Sequence, residues 1–188
     1  MTDINKNERL SFFGIDEETR ETFIGIRAAV ADELPSALDR FYALIERTPA
    51  VNRFFSDADH RRAAKSRQSD HWQRILEGKF DEEYFNSVRT IGRVHAKIGL
   101  EPRYYIGGYA MLASDLVKAG VNHAVGKGMI GKANGKADAV IDAMIRAIFL
   151  DMEVAISIYL EESEAAAREQ RETLATSLDE SVGEIPKA

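Results

Sequence analysis

The chain has 188 residues, 45% hydrophobic and 30% charged, ordinary for one globular domain with a sizeable core. It holds no cysteine, which excludes disulfides, thiolate metal sites, iron–sulfur clusters and cysteine nucleophiles and fits a reducing, cytoplasmic setting. A net charge of -6 with no sustained basic run argues against a nucleic-acid surface. No segment reaches the ~18 apolar residues of a membrane span. The opening MTDINKNERLSFFG is polar and lacks a signal-peptide core. Four prolines and repeated 3.6-residue apolar spacing predict an all-α protein.

Residues 1–15 read as a lead-in segment whose Leu10, Phe12, Phe13 and Ile15 can dock on the body. Asp16 predicts the cap of a first helix, with Glu17 and Glu18 suited to its positive end. Phe23, Ile26, Ala29 and Val30 supply its buried face, and it is expected to end near Glu33. A second helix is expected from Leu34 to Arg47, with Pro35 tolerated in its first turn. Leu38, Phe41, Tyr42 and Ile45 fall at i, i+3, i+4 and i+7, so Tyr42 faces inward. A buried phenol needs a partner, either a core carbonyl or a ligand in a pocket. Thr48-Pro49 ends the helix. The turn that follows inserts Phe54 and Phe55, a packing pair or a wedge for a flat cofactor.

The third helix lies within residues 57–76, from His60 to Leu76. Arg61, Arg62, Lys65, Arg67 and Arg74 occupy one side; Ala64, Gln68, His71, Trp72 and Ile75 the other. Small and polar residues on an inward face leave space. His71 is either a second candidate ligand or a residue bonded to its surroundings. Gly78 ends the helix, and His60 and His123 are expected at the surface.

The next helix, Asp81 to Ile98, places Tyr84, Val88, Ile91, His95 and Ile98 on one face. Gly99 is its expected C-cap, and Pro102 forbids continuation. His95 is then an imidazole on an apolar stripe near a helix end. It is either a core histidine satisfied by hydrogen bonds or a metal ligand through one nitrogen.

A long helix to about His123 follows, lined by Tyr105, Tyr109, Leu112 and Leu116. The stretch Gly126–Gly135 is glycine-rich, but it lacks GxxxxGK[ST] and no strand precedes it, so it reads as a connection rather than a phosphate loop. The last helix is expected from Lys136 past Tyr159, to about Thr173. It carries two apolar stripes: Val140, Met144, Ala147 and Val154, and Ile141, Ile145, Ile148, Met152 and Tyr159. A helix apolar over so much of its girth must bury two faces, one in the core and one against a second copy in a homodimer. Beyond Ile158 the chain becomes charged and alanine-rich, a helical connector, and Asp179–Ala188 is expected to fray.

The segment Val94-His95-Ala96-Lys97-Ile98-Gly99-Leu100-Glu101-Pro102-Arg103-Tyr104-Tyr105 resembles the proximal histidine segment of the globin-coupled sensors, the family of the haem-based aerotaxis transducers. Phe41-Tyr42 with Pro49, Phe54-Phe55, and His71-Trp72 before Gly78 extend the resemblance over about residues 10–165. The resemblance implies a globin fold with an extra N-terminal helical segment, a reduced fourth helix, and long final helices in a dimer bundle. It implies a sensor domain over residues 16–165 and a connector over 166–188.

The implied cofactor is haem b, between the third helix and the His95 helix, with His95 as the proximal iron ligand. Tyr42 takes the place of a distal tyrosine that donates a hydrogen bond to bound oxygen. Tyr105 matches a tyrosine on the proximal side, and Phe54 or Phe55 wedges the porphyrin. Ala64, Ser66 and Gln68 are the distal candidates of the third helix. Phe41, His71, Val94 and Ile98 complete the expected cofactor contacts, and Lys65 or His71 is a candidate transient iron ligand. The implied function is gas sensing, with O₂ as ligand and CO or NO as others, passed through the dimer to an output domain (methyl-accepting, kinase or cyclase) not encoded here. The competing readings are a haem enzyme of peroxide or NO chemistry, an O₂-binding globin without signalling, and a helical bundle without cofactor.

Overall fold

A computed structural model describes residues 6–126 and 133–183; those described fold into seven helices. They are α1 (Lys6–Phe12), α2 (Glu17–Glu46), α3 (Pro49–Asn52), α4 (Ala58–Leu76), α5 (Glu82–Ile98), α6 (Pro102–Gly126) and α7 (Ala133–Gly183). Residues 127–132 of the glycine-rich stretch and 184–188 of the tail lie outside the described residues.

Local chemistry sets most helix starts. Asp16, Asp57 and Asp81 each accept a hydrogen bond from the backbone N–H three residues on, at Thr19, His60 and Tyr84. The Asp81 cap begins the helix that carries His95. Replacing Asp81 by Ala should lower the stability of the chain by about 1 kcal/mol. The check is a urea midpoint that falls with an unchanged slope.

The α4–α5 turn combines Gly78 at φ +67° with Phe80 at φ +45°. A non-glycine residue in the left-handed region costs roughly 1–2 kcal/mol. The Phe80 ring offsets this by burial, edge-on to Phe23 at 5.9 Å and to Tyr84 at 5.1 Å. Gly99, at φ +67°, closes α5 as expected, and the Leu100 N–H then donates to the His95 carbonyl at 3.0 Å.

Two expectations fail locally. The break near Leu34 is absent: α2 runs unbroken through Pro35. Pro35 removes one helical hydrogen bond. The stripe Phe23, Ile26, Val30, Leu34, Ala37, Leu38 and Ile45 continues across it and is buried throughout, so packing overrides the local penalty. Ile98, placed on the buried face of α5, is 39% exposed. The N-terminal segment is helical and docks through buried Leu10 and Ile15, an Arg9–Glu153 ion pair, and an Arg146 bond to the Gly14 carbonyl at 3.0 Å; Phe12 points to solvent.

Helix α2 packs on α4 and α6, and α7 on α5 and α6. The α5–α7 contact is backbone on backbone: a Cβ at Gly92 would stand 2.6 Å from the Ala155 carbonyl oxygen. By contrast α4 and α5 touch little, so the two helices diverge. No helix among the described residues is long and apolar enough to cross a membrane.

Candidate functional site

His95 sits one turn from the end of α5, half-buried. Burial pushes its pKa down to about 4, so the ring is neutral near pH 7. Among the described residues neither ring nitrogen has a hydrogen-bond partner. Its neighbour is the Tyr105 ring, 4.8 Å away between centroids. With the imidazole, Leu100, Pro102, Tyr105, Ala155, Ile156 and Tyr159 line a partly open cavity of only about 10 Å³. That is room for one water at most. Beside it, Val94 at 49% and Ile98 at 39% exposure form an apolar strip with half-buried Ile91. A neutral, unbonded imidazole backed by packed side chains and flanked by open apolar surface is a ligand in waiting.

Tyr42 lies half-buried on α2 among aromatic rings, 5.2 Å from Phe41 and 6.3 Å from Phe55. Burial pushes its phenol up to about 12 against the opposing charge of Arg67. It therefore stays protonated, and its hydroxyl has no partner among the described residues. Phe41 reaches its place because Gly108 of α6 has no side chain; a Cβ there would stand 2.6 Å from the Phe41 ring. Of the two turn phenylalanines, Phe55 joins the Tyr42 cluster, whereas Phe54 lies under the Arg53 guanidinium at 4.9 Å. On α4, Ala64 and Gln68 are half-buried one turn apart, Ser66 is exposed, and Lys65 is paired with Asp39.

His71 belongs elsewhere. It is 2% exposed, with Nε2 2.8 Å from Asp151 Oδ1 and Nδ1 3.1 Å from Ser87 Oγ. A carboxylate only accepts, so the bonded proton lies on Nε2. Both nitrogens are thus engaged in a buried bridge between α4, α5 and α7. The second oxygen of Asp151 accepts from the Tyr109 hydroxyl at 2.7 Å. Burial, with the Asp151 charge adding to it, drives the Tyr84, Tyr105 and Tyr109 phenols well above their usual pKa. Among the described residues the buried Tyr105 hydroxyl has no hydrogen-bond partner.

Asp151 and Ser87 were not singled out in the sequence. The available signal for Asp151 was that, of the two acids in the largely apolar run Ala143–Ile158, it is the one in register with Ala147 and Ala155, whereas Glu153 is not.

Residues 5–165 match the sequence profile of the protoglobin family. The chain belongs to the protoglobin family. The "Heme-based aerotactic transducer HemAT" of Halobacterium salinarum is 22% identical over 161 residues, 81% of this chain and 32% of that protein. The chain thus spans about a third of that relative's length. The globin domain of the Geobacter sulfurreducens globin-coupled sensor superposes with a TM-score of 0.68 at 13% identity, over 81% of this chain and 96% of that one. The ferrous globin domain of E. coli DosC gives a TM-score of 0.58 at 17% identity, over 78% and 99%. The all-helical fold is therefore that of the globin domains of globin-coupled sensors. In this protoglobin fold, the His95–Tyr105 pair and the Tyr42–Phe41–Phe55 cluster are the two groupings with unspent chemistry.

Proposed function

We propose that this protoglobin domain binds haem b and senses a diatomic gas, O₂ first. The observation that carries the reading is His95: neutral, without a hydrogen bond, and bordered by the apolar strip of Ile91, Val94 and Ile98. Among the described residues no three His, Asp or Glu side chains converge as a metal site. A metal at His95 would have to bring its other ligands with it, as a macrocycle does. An apolar strip beside a lone neutral nitrogen donor fits such a group, and the likeness to a haem-based aerotactic transducer supports the choice.

Bound haem would supply an iron with one position open to gas. His95 would be its protein ligand, Tyr105 would pack behind that ligand, and Phe55 would border the macrocycle. Tyr42 keeps a proton and has no competing acceptor, so its hydroxyl is free to donate to a polar gas ligand. Such a bond favours O₂ over CO. Replacing Tyr42 by Phe should speed O₂ release about fivefold, one neutral hydrogen bond's worth, with CO release little changed. Flash photolysis and stopped-flow mixing give both rates; equal changes for the two gases would remove Tyr42 from this role.

The proposed unit is a homodimer without catalytic turnover. Ile145 at 46%, Phe149 at 57% and Leu160 at 52% exposure leave an apolar face on α7, and Met111 at 48% adds to it on α6. Burying such a face in a second copy is favourable. From there α7 continues as a charged helix to Gly183, a connector suited to carry the ligation state to an output domain or partner. Haem loading is tested directly by the absorption spectrum of the purified chain in ferrous, O₂ and CO forms. A chain that takes up no added haem would defeat the reading.

A further inference from the structure

The buried polar bridge at the centre of the helices is not accounted for by gas binding. Asp151 is fully buried in the middle of α7. One oxygen is held to α4 through His71, itself held to α5 through Ser87; the other is held to α6 through Tyr109. Burying a carboxylate is expensive unless its partners are well placed. Here they tie four helices to one side chain.

The Tyr109 end leads back to the candidate ligand. The Tyr109 ring is packed between Trp72, at 5.3 Å, and Tyr105, at 5.6 Å. The Tyr105 ring in turn lies against His95 at 4.8 Å. Among the described residues the buried Tyr105 hydroxyl has no hydrogen-bond partner, so packing rather than a polar bond places this side chain. Tyr109 forms one wall of that packing, and its hydroxyl is held by Asp151.

We propose that Asp151 is a positioning residue for His95: through the tilted Tyr109–Tyr105 ring contact it sets the orientation of the imidazole, and so ties α7 to the candidate haem ligand. The inference rests on the haem reading for its purpose and on the bonded network for its geometry. A shift of the His95 ring would push Tyr105 on Tyr109 and strain the Asp151 bond. A displacement of α7 would act back along the same rings, since coupling between two sites is reciprocal. The backbone contact at Gly92 gives α5 and α7 a second point of attachment.

The test compares Tyr109→Phe and Asp151→Asn with Ser87→Ala, each in the full chain as purified, before and after haem loading. Tyr109→Phe cuts the relay and keeps the ring. Asp151→Asn keeps the shape and removes the charge. Ser87→Ala removes a polar contact at the His71 end of the same bridge and leaves the Tyr109–Asp151 bond in place.

Three readouts follow His95 itself: the NMR resonance of its ring C–H before loading, the iron–imidazole stretching band by resonance Raman after loading, and the O₂ release rate. The first two variants should move the resonance and the band and change O₂ release about fivefold, the effect of one hydrogen bond. Ser87→Ala should leave all three in place. If all three variants lower stability while the His95 signals stay fixed, the bridge is structural only and the proposal fails. If the ring resonance moves but no haem is taken up, the positioning stands and the haem reading falls.

Discussion

Replacing His95 by Ala should abolish ordered haem ligation: no five-coordinate ferrous spectrum and no O₂ adduct, both of which are expected of the unmodified chain. No neighbouring group stands ready to substitute. His71 has both nitrogens bonded, Lys65 is paired with Asp39, and His60 is exposed at the start of α4. Added free imidazole should restore part of the spectrum, which separates loss of ligation from loss of fold. Retention of the native spectrum in the variant would overturn the assignment of His95.

The same ring has a pH signature. Burial lowers its folded pKa to about 4, below the value of about 6.5 of an unfolded chain. Between these values the unfolded chain binds the proton and the folded chain does not. The associated stability is whole above about pH 6.5 and is lost as pH falls through about 4. In the haem-free protein, His95→Ala should flatten that segment of the stability curve.

Asp151→Ala should be the most damaging single change in the core, lowering stability by about 3–5 kcal/mol. That is a large part of the roughly 5–15 kcal/mol that holds a domain folded. The reason is less the bond lost than the groups left behind. His71 and the Tyr109 hydroxyl would both remain buried with no acceptor for their protons. Asp151→Asn should cost much less, because the amide offers an oxygen and nearly the same volume. Urea unfolding of the three proteins, with equal slopes, measures both differences. A loss below about 1 kcal/mol for the alanine variant would mean that water satisfies the bridge in its absence.

The fold class and the frame of the site were readable without coordinates. Helix punctuation is short-range chemistry: an aspartate caps the N–H three residues ahead at Asp16 and Asp81, and a glycine takes the left-handed turn at Gly99. Because these signals act within a few residues, they place His95 one turn from the end of a helix from sequence alone. The 3.6-residue spacing of Leu38, Phe41, Tyr42 and Ile45 likewise turned Tyr42 inward.

Position 35 marks the limit of such reasoning. Proline is a local signal to stop, yet the stripe from Phe23 to Ile45 is buried against other helices, and that burial exceeds the penalty of one missing hydrogen bond. Phe54 and Phe55 are equivalent as a dipeptide; only the placement of Tyr42 and Arg53 separates them.

What the sequence by itself determined is therefore the all-helical class, the start of α2, both ends of α5, and the candidacy of His95 and Tyr42, all set by interactions within a turn or two. What only the tertiary structure decided is which polar groups are already spent. His71 and His95 look alike on their helices. Asp151, 80 residues from His71 along the chain, engages one of them and leaves the other free. A hydrogen bond between distant segments leaves no periodicity to read, because it depends on how the helices cross.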